Sequence, residues 1–297
     1  MRLNSATCNV ITVLVVLLSM FADHVSHAYY TPGNILLMDH LNINHQKGRH
    51  DLVKSFYVDT LGLVLDPRKQ ENIDKGRKTL WTNAGITQFH LPEADNAQIF
   101  DGVVTLVYKD KASFDTVMSR LNDPAPLLRD GQSLFGWSVA DAEADAGAGG
   151  KGSTAWVTDP WGSKFRLTVD PVAAIDVRGR QPGVVVGASV CAMSDLCVHV
   201  PQGTSLDGIR RFYEQIMEAP VLPSSNSGSS STCDSVSVVV SPQQTLTFKH
   251  SPSPSTTLQR QEAELERDAS GRIVANTGNR RATLSSYSFL LVWLHLM

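Results

Sequence analysis

A pattern of one strand, one helix and three strands recurs along this chain, and this repeat restricts the possible folds more than any single motif does. The first strand of the first copy alternates at its end, with Leu41 and Ile43 on one face and His40 and Asn42 on the other. The next segment, HDLVKSFYVDTLG, has apolar residues at helical spacing and closes on a glycine, which predicts an amphipathic helix. Three short strand-like pieces, LVLD, KTLWTN and ITQFHLP, complete the unit.

The same order follows immediately in a second copy. GVVTLVYKD is strand-like, KASFDTVMSRL has helical spacing, and SLFGWSVAD, STAWVTD and SKFRLTVD predict three more strands. Between the last two, the segment 159–162 (DPWG) suits a tight turn, because proline presets φ and glycine relaxes the fourth position. Residues 35–170 are therefore predicted to form one complete domain from two βαβββ modules, at 35–92 and 99–170.

A third copy begins further along the chain. Asp39 and Asp195 lie 156 positions apart, and the Phe-Tyr pairs that begin at Phe56 and Phe212 have the same separation. Residues 188–250 are therefore predicted to be a partial second domain with one βαβββ module. Its partner module either comes from another chain or is missing. The remainder, 251–297, is polar and rich in Ser and Thr, and is interpreted as a disordered tail or the product of a truncated reading frame.

The first residues have the features of an export signal. Arg2 precedes an apolar run from Val10 to Phe21, and small residues at Ser26 and Ala28 suit a cleavage site. Residues 1–28 are therefore predicted to be a signal peptide, which places the protein in the secretory pathway or outside the cell. A bipartite plastid-targeting leader is the alternative. Neither this run nor the eleven-residue apolar C-terminus is long enough for a stable membrane span.

Charge and cysteine content narrow the function classes. The chain has 26 Lys and Arg against 29 Asp and Glu, a net charge of −3, and no basic block, so nucleic acid is not a predicted partner. After removal of the signal, Cys191, Cys197 and Cys233 remain, which permits at most one internal disulfide. Cys191 and Cys197 are interpreted as a buried pair or a disulfide rather than as a metal site.

Two segments resemble a known family. DHLNINHQKGRHDLVKSFYVDTLGLVLDP and TDPWGSKFRL are similar to the opening module and the closing turn of the vicinal-oxygen-chelate superfamily, which contains glyoxalases, bleomycin-resistance proteins and dioxygenases. The resemblance implies an α+β fold in which paired βαβββ modules form a cup-shaped open barrel. It also implies a divalent metal in the cup, held by a His, Gln or Glu on the first strand, often a second ligand on the next module's first strand, and a Glu on the last strand.

Most of that ligand set is absent here. His40 occupies the first position, but residues 102–103 (Gly-Val) have no donor side chain, and Arg166 replaces the Glu with a cation that repels a metal. His90 is a substitute only if its strand faces the cup, and Leu196 falls at the His40 position of the third module. The metal site is therefore predicted to be degenerate, with His40 as its one candidate ligand. A divalent metal stays open as a cofactor but is not favoured.

The alternation of the last strand predicts a different kind of site. It places Lys164 and Arg166 on the face that His40 and Asn42 also line, so the cup is polar and net positive. Together with His90, these residues are the candidate ligand-binding set. We expect a small anionic or carbonyl-containing ligand, with Arg166 giving bidentate recognition where the family's Glu would hold a metal.

Two other functions stay open, because the superfamily supports many reactions on one scaffold. The first is a metal-dependent enzyme, a glyoxalase-type lyase or an extradiol-type dioxygenase, that uses His40, His90 and a carboxylate not yet placed. The second is a non-enzymatic interaction module, in which residues 188–250 pair with a partner chain, for example in a homodimer. Whether the chain is an enzyme is left open at this point.

Overall fold

The computed structural model describes residues 34–67, 78–130, 133–139, 154–170, 190–223, 234–251 and 292–296. The predicted signal peptide and residues 252–291 lie outside them. The strands are β1 (Ile35–Asn42), β2 (His45–Gln46), β3 (Val64–Leu65), β4 (Leu80–Ala84), β5 (Thr87–Leu91), β6 (Glu93–Ala94), β7 (Gly102–Tyr108), β8 (Gly136–Val139), β9 (Thr154–Thr158), β10 (Lys164–Val169), β11 (Val190–Val200), β12 (Ser235–Ser241), β13 (Gln244–His250) and β14 (Val292–Leu296).

The helices are short and follow the first strand of each module. They are α1 (His50–Lys54), α2 (Lys111–Asn122) and α3 (Leu206–Arg211), with π-helical continuations of α1 and α3 at Ser55–Thr60 and Phe212–Ile216 and a 3-10 turn at Pro126–Arg129. The side chain of Asp110 caps α2 by accepting from the Ser113 backbone nitrogen at 2.8 Å, as an N-cap does. Among the described residues, no helix combines the length and apolar character that a membrane crossing needs.

The three predicted modules share one strand topology. In each, the first strand pairs in parallel with the last one: β1 with β5, β7 with β10, and β11 with β13. The first two modules have the sheet orders β1-β5-β4-β3 and β7-β10-β9-β8, and the third has β11-β13-β12. In the third, an isolated bridge between Val221 and Val238 stands where the other modules have a further strand. The α+β prediction with repeated βαβββ modules is confirmed.

The way in which the modules pair differs from the prediction. The strand β7 pairs antiparallel with β11, which joins the second and third modules into one seven-stranded sheet, β12-β13-β11-β7-β10-β9-β8. The sequence interpretation had joined the first and second modules in one cup and left 188–250 as a partial domain. The hydrogen-bonded pairing joins modules two and three, and the predicted domain limits stay a prediction. Apart from Val103, every residue of β7 is buried, and a central strand of this kind needs hydrogen-bonding neighbours on both edges.

The first module finds its partner strand at the end of the chain. The outer edge of β1 pairs antiparallel with β14, with His40 opposite Trp293 and Met38 opposite Leu294, in the five-stranded sheet β14-β1-β5-β4-β3. Residues 292–296, within the segment predicted to be a disordered tail, therefore pair with β1, and the prediction for 252–291 lies outside the described residues. Pairing with β14 satisfies an edge of β1 that would otherwise present a row of open backbone groups.

The first and second modules pack against each other through aromatic side chains instead of sharing a sheet. Phe56 and Tyr57, from the π-helical segment, lie 5.5 and 5.8 Å from the ring of Phe165 on β10, and Phe89 on β5 contacts Tyr57 at 5.3 Å. All four side chains are fully or almost fully buried. The apolar faces of the two sheets therefore face this common core, and each sheet has a second, more polar face on the other side.

Candidate functional site

Four residues stand side by side on the polar face of the seven-stranded sheet. Register pairs place Arg166 beside Thr105, Thr105 beside Asp195, and Asp195 beside Thr245. Side chains of residues that are directly paired on neighbouring strands point to the same side of a sheet. We call this set (Arg166, Thr105, Asp195 and Thr245) the cross-sheet row, and the face that it occupies the open face.

Strand alternation explains why these side chains point away from the core. Phe165 and Leu167 on β10 are fully buried, as are Val104 and Leu106 on β7 and Leu196 on β11. Their neighbours in sequence must therefore face the other side, because the side-chain period of a strand is two. The predicted arrangement of β10 is confirmed in this respect: Lys164, Arg166 and Thr168 share one face, and the apolar residues between them pack underneath.

The carboxylate of Asp195 is held in place by two hydroxyl groups. Its Oδ1 atom accepts hydrogen bonds from Thr245 Oγ1 at 2.6 Å and from Thr247 Oγ1 at 2.9 Å. Burial raises the pKa of Asp195, while the two threonine hydroxyls and the Arg166 guanidinium act in the opposite direction by favouring the charged form. Both bonds go to the same oxygen, and within the described part of the chain no donor is bonded to Oδ2.

The first strands of modules one and three show that Asp195 is the counterpart of His40. Irregularities in pairing fall between Met38 and His40 in β1 and between Met193 and Asp195 in β11. The prediction that Leu196 takes the His40 position is therefore wrong by one residue, and Leu196 lies in the core. A one-residue error moves every side chain of a strand to its other face, which is why the sequence comparison missed a carboxylate here.

A similar shift applies to the second module. Thr105, rather than the predicted residues 102–103, lies at the level of Asp195 and Arg166. The row thus contains one carboxylate, two hydroxyls and one guanidinium at the positions where the family resemblance implies metal ligands. Divalent metals are bound by several imidazole, thiolate or carboxylate groups, and a guanidinium cation opposes them. The row does not fit a metal, and among the described residues no cluster of three His, Cys, Asp or Glu could hold one.

The other predicted site residues lie on the five-stranded sheet. His40 and His90 share its polar face, since His40 pairs with Gln88, and Asn42 pairs with His90. The His90 ring stacks on Trp81 with centroids 4.0 Å apart, and the His40 and His90 centroids are 6.1 Å apart. The structure therefore brings these two imidazoles together.

These residues do not share a face with the arginine. Arg166 and Lys164 belong to the seven-stranded sheet, whereas His40, Asn42 and His90 belong to the five-stranded one, so a pocket common to all five stays a prediction. The prediction assumed that modules one and two pair edge to edge, whereas they pack through their apolar faces. Whether any of the five residues binds a ligand stays a prediction.

A buried carboxylate after β3 accepts a hydrogen bond from a side-chain amide of β5. Asp66 is almost fully buried, and its Oδ2 accepts a short hydrogen bond from the Gln88 side-chain amide. The same Gln88 nitrogen donates to Asn83 Oδ1 at 2.6 Å. His40 itself contacts Asp39, with 2.8 Å between Nδ1 and Oδ2. The sequence did not indicate this network, in which the Gln88 side chain on β5 links Asp66 to Asn83 on β4.

The cysteines of β11 do not form the predicted disulfide. Cys191 and Cys197 are both free thiols. They lie six positions apart on one strand, which separates them by about 20 Å, far beyond the reach of a disulfide. Burial raises the pKa of each thiol to about 11, so neither is a reactive thiolate near neutral pH. Cys233 lies outside the described residues.

A small pocket lies apart from both polar faces, between the first two modules. Its volume is about 150 Å³, and its lining includes Gln46, Trp161 and the Arg49 and Asp130 pair, whose Nη1 and Oδ2 atoms are 3.3 Å apart. This volume is below the roughly 300 Å³ at which ligand pockets usually begin. Trp161 is partly buried here and packs against the hydrophobic core.

Comparisons with known proteins gave structural similarities only. No family model matches the chain. No curated protein matches it either. Among solved structures, a putative dioxygenase from Bacillus subtilis is similar at 14% identity and a TM-score of 0.47, with 75% of this chain and 66% of that protein covered. Glyoxalase I from Zea mays is similar at 14% identity and a TM-score of 0.40, with 72% and 67% covered.

A shorter protein gives a further similarity. A putative glyoxalase family protein from Bacillus anthracis is 19% identical with a TM-score of 0.32, and the match covers 46% of this chain and 96% of that one. The present chain thus spans about two thirds of the length of the Bacillus subtilis and Zea mays proteins.

Proposed function

We propose that the open face of the seven-stranded sheet binds a small molecule with a carboxylate or a similar pair of anionic oxygens, without a metal. The observation that carries this proposal is the position of Arg166 in the cross-sheet row, where the family resemblance implies a metal-binding glutamate. A guanidinium presents parallel N–H groups that match the two oxygens of a carboxylate. The anion would then be held directly by the protein.

The charges around the row favour an anion. Lys164 lies on the same face of β10, and Lys249 lies on the same face of β13, two positions after Thr247; both are exposed. Among the described residues of β10, β11 and β13, three cations thus share this face with one carboxylate, that of Asp195. An excess of one sign on a surface raises the local concentration of the opposite ion.

An aromatic side chain extends the site beyond the charged groups. Trp156 on β9 pairs in register with Arg166, so both point to the open face, and Trp156 remains 36% exposed. An exposed indole beside a guanidinium offers a flat apolar surface to the body of a ligand whose charged end is held by the arginine. We therefore expect aryl-substituted carboxylates to bind better than inorganic anions.

The metalloenzyme alternative receives less support from the described residues. It required His40, His90 and a carboxylate, but the Asp66 carboxylate is hydrogen-bonded to Gln88. Catalytic zinc sites generally use three protein ligands. The interaction-module alternative relied on an unpaired third module, and that module pairs with β7 within the chain.

Calorimetry with 3-phenylpropanoate and its neutral amide tests the proposal. We expect the full chain to bind the carboxylate and not the amide. Arg166→Gln should weaken carboxylate binding by about 10- to 100-fold, because a charge-assisted pair contributes roughly 1.5–3 kcal/mol. Lys111→Gln is the matched control: it removes one positive charge from an exposed i,i+4 pair with Asp115 on α2 and should leave binding unchanged.

Two results would contradict the proposal. One is the absence of any carboxylate binding by the folded wild-type chain. The other is equal affinity in wild type and Arg166→Gln. Thermal melts of both variants establish that each is folded before binding is compared.

A further inference from the structure

We infer that Asp195 is a second recognition group in the same site, and that the ligand is a small zwitterion, with a carboxylate bound by Arg166 and an ammonium group bound by Asp195. This inference rests on the proposed function and specifies the chemical class of the ligand. An amino acid with an aryl side chain is the simplest molecule of that class.

The geometry of the row places two opposite charges on one face. Arg166 and Asp195 are on strands that flank β7, with Thr105 between them. Strands are about 4.8 Å apart, so the Cα atoms of the two residues are separated by roughly 10 Å. The guanidinium is close enough to favour the ionised form of the carboxylate. A ligand with both charges can span the distance between the two groups.

The carboxylate of Asp195 is oriented before any ligand arrives. Thr245 and Thr247 donate to Oδ1, and both threonines are on β13, the strand next to Asp195. This arrangement fixes the plane of the carboxylate and leaves Oδ2 as an acceptor. A group that is held in its binding orientation loses less conformational entropy when a ligand binds.

The charge balance of the site favours a cationic donor at this position. Burial penalises the ionised form of Asp195, and the two neutral hydroxyls and the more distant arginine compensate for only part of that penalty, so its pKa remains raised. An ammonium group beside Oδ2 would stabilise the charged form through a charge-assisted hydrogen bond. A ligand with only a carboxylate would leave this acceptor without a donor from the ligand.

Asp195 also has a structural role, because it links β11 to β13 through the two threonines. The variant Asp195→Asn separates the two roles. The amide oxygen of asparagine can still accept from Thr245 and Thr247, whereas its nitrogen replaces the acceptor Oδ2 with a donor and removes the charge. The fold should therefore persist while recognition of an ammonium group is lost.

Three ligands with one carbon skeleton test the inference by calorimetry on the full chain. L-phenylalanine has both charged groups, 3-phenylpropanoate has only the carboxylate, and 2-phenylethylamine has only the ammonium group. We expect wild type to bind L-phenylalanine at least tenfold more tightly than either single-charge ligand. In Asp195→Asn, L-phenylalanine should bind no better than 3-phenylpropanoate, and in Arg166→Gln it should bind no better than 2-phenylethylamine.

The possible outcomes distinguish this inference from the proposed function. If 3-phenylpropanoate binds through Arg166 but L-phenylalanine has no advantage, or keeps its advantage in Asp195→Asn, the role of Asp195 is wrong and anion binding stands. If none of the three ligands binds to folded wild-type protein, both proposals are overturned. Near-ultraviolet circular dichroism of each variant confirms that the tertiary packing is intact.

Discussion

Asp159 organises the turn between β9 and β10 with a single side-chain oxygen. Its Oδ1 accepts hydrogen bonds from the backbone nitrogens of Trp161, Gly162 and Ser163 at 2.9, 2.7 and 2.8 Å. Pro160 and Gly162 predicted the turn from the sequence, and Gly162 does adopt a positive φ of 114°. The triple acceptor was not predicted, because its partners are backbone groups that are close only after the turn has formed.

Removal of this acceptor should be costly, whereas removal of its charge should not. Asp159→Ala leaves three backbone N–H groups without their acceptor, and we expect it to lower the free energy of unfolding by about 3 kcal/mol or more. Asp159→Asn retains an acceptor oxygen and should lose much less. Urea denaturation at pH 7 compares the two variants, and similar losses for both would contradict the assigned role of Oδ1.

The free energy of unfolding of wild type, relative to that of Asp159→Asn, should depend on pH. Burial raises the pKa of Asp159 from 3.8 to about 6, although the backbone hydrogen bonds oppose the shift. Because the folded-state pKa is higher than the unfolded one, the folded state holds the proton more tightly. This contribution to stability is therefore full below about pH 4 and is lost as the pH rises to about 6. Between these values, wild type should lose on the order of 3 kcal/mol relative to Asp159→Asn. Parallel curves of unfolding free energy against pH for wild type and Asp159→Asn would refute this prediction.

At the scale of elements, one helical motif occurs twice in different surroundings. Phe56 and Tyr57 follow α1 and are 0% and 1% exposed, whereas Phe212, at the equivalent position after α3, is 48% exposed. Phe56 is covered by the second module through Phe165 and Phe135, at centroid distances of 5.5 and 6.2 Å. Among the described residues, no module packs in the corresponding way against α3. Identical sequence motifs therefore contribute unequally to stability.

Alanine substitutions should expose this difference. Phe56→Ala creates a cavity between two modules and is expected to lower the free energy of unfolding by about 3–5 kcal/mol. Phe212→Ala removes a half-exposed ring and should cost less than about 1 kcal/mol. Urea titration of both variants gives the comparison. A loss of several kcal/mol in Phe212→Ala would show that a further surface covers this ring in solution.

The whole molecule is held together by contacts between modules that are distant in sequence. The β7–β11 pairing unites residues 102–108 with 190–198, and β14 closes the edge of β1 from the far end of the chain. A cut after residue 170 therefore leaves β7 and β1 each without one neighbouring strand. A cut after residue 251 leaves the seven-stranded sheet complete and, of the strands that the structure describes, removes β14 alone.

Two fragments test this organisation. We expect residues 34–251 to unfold cooperatively and residues 34–170 to bind a hydrophobic dye and lack a cooperative melt, because all residues of β7 except Val103 are buried in the full chain and the strand would have an open edge. Differential scanning calorimetry makes the comparison. Cooperative unfolding of 34–170, with a midpoint within a few degrees of the longer fragment, would instead support the predicted domain at 35–170.

Local patterns in the sequence were sufficient for most of the regular elements and for the turn between β9 and β10, although not for the hydrogen bonds of Asp159 within that turn. Strand alternation and helical spacing predicted the three modules, the turn at 159–162, and the shared face of Lys164 and Arg166. They could not predict which module edges pair, because the hydrogen bonds between strands join backbone groups that are the same in every residue. A sequence repeat identifies a structural unit but does not specify which other unit it pairs with. That pairing separated His40 and His90 from Arg166, and it brought Asp195, hidden by a one-residue shift, into the row that forms the candidate site.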